Sequence, residues 1–226
     1  MILSLTKYDI LFQLKQGFYT VYAILVVIYL LILFYLPQSV RMEVTAFIIL
    51  NDTSVLGIVF VGALVLLEKQ QNILQSLFIT PLKLSTYMWS KVLSLTLIAM
   101  LASTIIGLVP GGLSNNWLAM LSSVILTSVF FTFLGLGVAA RVNTLNQYIA
   151  GIMVAGVITL APVALYFFIP NLSLVFPVNA AIDLLITSPE TQTIRGIIAD
   201  SAVLICWSIV AFLWAKHQFI KYIIQK

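Results

Sequence analysis

Residues 18–36 read Phe-Tyr-Thr-Val-Tyr-Ala-Ile-Leu-Val-Val-Ile-Tyr-Leu-Leu-Ile-Leu-Phe-Tyr-Leu, without one charge. At about 1.5 Å rise per residue, a helix of this run is about 28 Å long, close to the thickness of a bilayer's hydrocarbon core. Apolar residues occupy every face, so the helix has no polar side to offer water. Pro37 follows at once, where a helix ends at little cost. A secretory leader would have a shorter apolar core, about 7–15 residues, and a small-residue cleavage site. Here the chain continues Tyr35-Leu36-Pro37-Gln38. The stretch therefore predicts a membrane-spanning helix, retained in the protein.

The rest of the chain repeats the pattern. Of 226 residues, 62% are hydrophobic and 8% charged, with a mean hydropathy of +1.14. Soluble domains carry about 25% charged residues, so a water-facing surface cannot be built from this composition. Further apolar runs fall at about 44–67, 86–109, 117–140, 148–169 and 199–215. Together they predict an all-α integral membrane fold with six transmembrane helices, forming a single membrane domain over residues 1–226. Pro110 and Pro170 close two of the runs.

Basic residues orient the bundle. With the N-terminus inside, Lys7, Lys15, Lys69, Lys83, Lys91, Arg141, Lys216, Lys221 and Lys226 fall on the cytoplasmic side. Only Arg41 and Arg195 fall outside. A nine-to-two bias over short connections places both termini in the cytoplasm. Before the first span, Thr6, Asp9, Gln13 and Gln16 share one helical face and Leu3, Ile10, Leu11 and Leu14 another. This predicts an N-terminal interfacial helix on the inner leaflet. A cytoplasmic extension of the first span is the alternative.

Several chemistries lack their residues. There is no G-x-x-x-x-G-K-[ST] phosphate loop, no H-E-x-x-H and no C-x-x-C. His217, the sole histidine, lies in the C-terminal tail, so a Ser–His hydrolase has no base at bilayer depth. Zinc has too few ligands. No Lys/Arg cluster of the kind that holds nucleic acid exists. Cys206 is alone and forms no intrachain disulfide. A transport or scaffold role is expected rather than an enzyme, with no cofactor and no metal in this chain.

The informative connection lies between the second and third spans: Glu68-Lys69-Gln70-Gln71-Asn72-Ile73-Leu74-Gln75-Ser76-Leu77-Phe78-Ile79-Thr80-Pro81, then Lys91. Ile73, Leu74, Leu77 and Phe78 make one face of a short helix, and Glu68, Gln71, Gln75 and Ser76 point elsewhere. Pro81 restricts Thr80 to extended backbone and stops the helix. The expected product is a short amphipathic helix under the membrane, with a polar face for a cytoplasmic partner.

This segment resembles the cytoplasmic motif of the type-2 ABC exporter permeases, roughly E-[KR]-x-x-G-T-x-E-x-L-L-x-T-P with a lysine about ten residues on. Glu68, Lys69, Leu77, Thr80, Pro81 and Lys91 match. Asn72 stands where the family has Gly, Ile73 where it has Thr, Gln75 where it has Glu and Phe78 where it has the second Leu. Phe176-Pro177-Val178-Asn179-Ala180-Ala181-Ile182-Asp183 resembles the family's outer segment. The resemblance implies a coupling helix at Glu68–Thr80, gripped by a separate cytoplasmic ABC ATPase that binds ATP and Mg. It also implies a second permease copy, as homodimer or heterodimer, with the first and fifth spans at the seam. The expected location is a prokaryotic plasma membrane, with lipid around the chain and export of an amphipathic or apolar substrate.

Asn51-Asp52-Thr53-Ser54 falls inside the second span. An intramembrane carboxylate is costly and marks a candidate substrate path at Asn51 and Asp52; helix packing is the other reading. Ser128, Thr132 and Gly135 share a face of the fourth span and suit close packing. The connection 170–198 is itself apolar and predicts one or two re-entrant helices that include Pro177, Asn179 and Asp183. Two other classes stay open at this point: a gradient-driven transporter using Asp52, and a non-transporting membrane scaffold.

Overall fold

The computed structural model describes residues 2–79, 82–109, 117–166, 176–186 and 194–224; the side chains of Gln75, Phe78 and residues 158–166 stand outside that description. Nine helices and no strand occur among the described residues: α1 Ile2–Lys15, α2 Phe18–Tyr35, α3 Gln38–Gln70, α4 Ile73–Ile79, α5 Leu84–Gly107, α6 Trp117–Arg141, α7 Leu145–Tyr166, α8 Pro177–Ile186 and α9 Ile194–Ile224. Five of them, α2, α3, α5, α6 and α9, are long and apolar enough to cross a membrane. The protein is therefore a multi-pass membrane protein. The expected fifth span coincides with α7, a 22-residue helix described with its side chains only as far as Val157, so it stays outside that five.

α6 is the axis of the bundle. It packs on α9, α5, α3, α8 and α7, and its own hydroxyls are turned inward: Ser128 and Thr132 are fully buried. Ser128 shares a hydrogen bond with Thr96 of α5 at 3.0 Å. The α3–α6 crossing depends on two glycines. A Cβ on Gly57 would lie 2.8 Å from Phe131 Cβ and 2.9 Å from Thr132 N, and a Cβ on Gly135 would lie 2.9 Å from the Ile58 carbonyl oxygen. Small residues let helix backbones meet where no hydrophobic force drives helices together in lipid.

α3 is longer than the run 44–67, because Arg41 and Glu43 ride in its first turns. It is also not uniform. Residues Leu56–Phe60 form a π-helical turn, preceded by Thr53 and Ser54, whose hydroxyls donate to the carbonyls of Ile49 and Leu50. Such back-bonding loosens the main-chain ladder. The Tyr148 hydroxyl of α7 donates to the Ile58 carbonyl inside this turn, supplying a donor where a π turn disturbs the regular pattern.

α1 carries the two faces read from its sequence, with Gln16 of the polar set just past its end and exposed. Its polar face, Thr6, Asp9 and Gln13, is buried, and its apolar face, with Leu3 81% exposed, is turned outward. The cause is α5, which presents a lysine and a serine that the polar face satisfies. At the other terminus, α9 runs on through the tail to Ile224 and ends in a π turn. The Lys91-facing side of α1 and the Phe219 end of α9 lie at the end of the bundle that carries the root of α4. There, Phe219 stacks on Tyr87 at 5.8 Å, and Arg141 Nε donates to Gln218 Oε1 at 2.9 Å.

Candidate functional site

The segment after α3 is built on one unusual residue. α3 ends at Gln70, the Asn72 N–H donates to the Lys69 carbonyl at 3.1 Å, and Asn72 adopts φ 57°, in the left-handed region. That region suits glycine, and asparagine tolerates it best among residues with a side chain. The departure Gly to Asn at position 72 thus keeps the backbone geometry. The turn launches α4, whose Leu74 is buried, whose Leu77 packs on the bundle and whose Ile73 is half-buried. Gln71, Asn72, Ser76 and Ile79 are exposed, Ile79 by 87%. The Gln75 side chain and residues Thr80 and Pro81 lie outside the described residues.

Glu68 does not belong to that exposed surface. It is buried, 5% exposed, and accepts from Lys91 Nζ and, at 2.6 Å, from the Tyr87 hydroxyl. Lys91 is 1% exposed and also reaches Asp9 Oδ1 at 2.5 Å. One ammonium therefore joins carboxylates from α1 and α3 to α5. One turn along α1, Gln13 Nε2 donates to Ser94 Oγ at 2.9 Å. Lys91, expected on the cytoplasmic side with the other basic residues, is not in contact with water. A lysine inside an apolar helix is stable only with counter-charges, and two are supplied.

Lys69 points the other way. Its Nζ donates to the carbonyls of Ala139, Ala140 and Val142 at 2.8, 3.1 and 2.7 Å. These carbonyls end α6, where the helix dipole is negative and orphan acceptors collect. The adjacent pair Glu68–Lys69 thus fastens the root of α4 to α1, α5 and α6. A displacement of α4 has a polar connection to three other helices.

The Asn51–Asp52 candidate splits. Asn51 is exposed, whereas Asp52 is 3% exposed and accepts from the Tyr22 hydroxyl of α2. Asp52 lies fourteen residues along α3 from Gln38, about 21 Å. In the outer segment, Pro177 and Asn179 are buried and Asp183 half-buried. α8 is held there by Ser123 Oγ, which donates to the Ala181 carbonyl at 2.9 Å.

Asp9, Tyr87 and Tyr22 are the participants the sequence reading did not single out. Asp9 had a signal: a lysine in the third apolar run needs carboxylates, and Asp9 and Glu68 are the acids nearest the same end. Tyr22 had none, because one tyrosine among many apolar residues is not distinctive.

Comparison with known proteins agrees with this anatomy. The chain matches, over residues 1–226, the model of the fluoroquinolones export permease protein family. Two relatives named fluoroquinolones export permease protein, from Mycobacterium tuberculosis strains CDC 1551 / Oshkosh and H37Rv, are each 21% identical over 161 residues, covering 71% of this chain and 68% of theirs. No solved structure matches. The match runs the full length of the chain, so this chain belongs to the fluoroquinolones export permease protein family, consistent with a permease of the type-2 ABC exporter kind.

Proposed function

We propose that the chain is the membrane subunit of a two-component ABC exporter. A separate cytoplasmic ATPase binds ATP and Mg and grips α4; two permease copies, each with six spans and cytoplasmic termini, form the translocation route in a prokaryotic plasma membrane. The observation that carries the reading is the root of α4. An exposed short helix is tied, through Glu68 and Lys69, to α1, α5 and α6. Force applied by an ATPase to α4 reaches the bundle through charge-assisted hydrogen bonds, which are stiffer than apolar contacts. The basic-residue bias supports cytoplasmic termini. Exposed apolar residues on α2 and α7, including Val27, Leu31, Met153 and Val157, support a second copy along those helices. The relatives' names support a drug-sized amphipathic substrate, moved outward. Asn179 and Asp183 on α8 suit an outer cap on the route.

The test uses the exposed part of α4, because Glu68 is structural. The chain is purified with any soluble ATPase encoded beside its gene, as wild type and as Ser76→Glu/Ile79→Asp. Wild type is expected to retain the ATPase and the variant to lose it, with an unchanged melting temperature. A stable wild-type protein that captures no ATPase, or capture indifferent to both residues, overturns the reading.

A further inference from the structure

Asp52 is buried at mid-helix in α3, and no basic side chain among the described residues pairs with it: both salt bridges there belong to Lys91. Its one hydrogen bond comes from Tyr22 and occupies Oδ2. Tyr22 itself belongs to a ring cluster. Phe60 meets Phe18 at 5.3 Å and Tyr22 at 6.2 Å, both edge to face. This combination differs from the Lys91 cluster, where each carboxylate has a cation. Carboxylates at bilayer depth normally find a partner, and this one has only a phenol.

The setting is also lightly packed on the α2 side. α2 has 17% of its residues buried against 67% for the most apolar 18-residue stretch of α3, and it is joined to α1 through Gly17 at φ 77°. A solute that parts α2 from α3 at Tyr22 meets the Asp52 carboxylate and the Tyr22 ring, with Phe60 against that ring.

Resting on the export reading above, we infer that the α2–α3 seam at Asp52, Tyr22 and Phe60 is a binding site for amphipathic organic cations. The carboxylate supplies the charge partner, Phe60 and Tyr22 supply ring faces that attract a cation, and the surrounding apolar side chains take the rest of the solute. Tyr22 acts as the stand-in donor that keeps Asp52 satisfied while the site is empty. A purely apolar solute would gain nothing from Asp52, so the site selects charge as well as size.

The experiment is equilibrium binding of tetraphenylphosphonium to the full chain in phosphatidylcholine nanodiscs, without ATPase or nucleotide. Tetraphenylborate, of the same size and opposite charge, is the control. Wild type is expected to bind the cation above empty nanodiscs. Asp52→Asn should lose at least about tenfold in affinity, Asp52→Glu should retain it, and Phe60→Leu should lose several-fold, as expected for a cation–ring contact. Tetraphenylborate should respond to none of them. Equal cation affinity in wild type, Asp52→Asn and Phe60→Leu, or no cation binding by wild type, overturns the inference. A loss in Asp52→Asn that Asp52→Glu does not restore, with both melting below wild type, also overturns it, because Asp52 is then a packing residue. ATPase capture on α4 is read separately, so failure of the cation site leaves the export reading standing, and the reverse.

Discussion

Replacing Lys91 by methionine removes the single positive charge of a buried triad. In the native arrangement the triad holds one ammonium and two carboxylates, with side-chain exposures of 1% for Lys91, 9% for Asp9 and 7% for Glu68. Lys91→Met leaves both acids buried without a cation. Glu68 keeps its bond from Tyr87, but Asp9 loses the partner of Oδ1, and its Oδ2 already has none. Breaking a buried pair from one side costs about 3–5 kcal/mol. Asp9→Asn is milder, because it brings the triad to neutrality and keeps an acceptor beside Lys91; the expected cost is about 1–2 kcal/mol. A fully apolar replacement, Asp9→Leu/Glu68→Met/Tyr87→Phe/Lys91→Met, leaves no orphaned charge and should lie within about 2 kcal/mol of wild type. The assay is reversible unfolding in detergent micelles, with thermal melting as a second readout. Lys91→Met should lower the midpoint by on the order of 10 °C. The reasoning fails if the quadruple variant is less stable than Lys91→Met alone. The four side chains would then act through packing, and their charges would not be what Lys91 balances. If α4 drives the bundle through this cluster, the same quadruple variant should bind ATPase normally and transport poorly.

Other expectations follow from single positions. Asn72→Val should cost about 1–2 kcal/mol, because a β-branched side chain resists the left-handed backbone, while Asn72→Gly should be nearly neutral; unfolding midpoints separate the two. Gly57→Leu should destabilise by about 1–3 kcal/mol through overpacking against Phe131 and Thr132, read from the same unfolding midpoints. Lys69→Met removes three bonds to the last carbonyls of α6 and should cost about 1–2 kcal/mol. Its direct readout is faster hydrogen exchange around Arg141. Tyr148→Phe deprives the π turn of α3 of its donor at Ile58 and should cost about 1 kcal/mol, measured in the same unfolding assay.

Membrane residence, helical class and the place of the short helix after α3 were legible in the sequence. Each depends on local physics: a run of apolar residues must be helical and surrounded by lipid or protein, and the spacing of Ile73, Leu74 and Leu77 defines a face with no reference to distant partners. The family resemblance was readable for the same reason, because its motif is contiguous. The roles within that motif were not. Glu68 looked like part of a polar docking surface, and Lys91 like an anchoring cation; the fold buries both, because Asp9, 82 residues from Lys91, closes the triad. The orientation of α1 shows the same limit. Amphipathicity gave two faces, but only α5, with Lys91 and Ser94, decided that the polar one turns inward. Asp52 could be recognised as a costly residue from its neighbours in the chain. That its partner is a phenol on α2 and not a cation is a property of helices packed side by side, which is where long-range electrostatics enters and local periodicity carries no information.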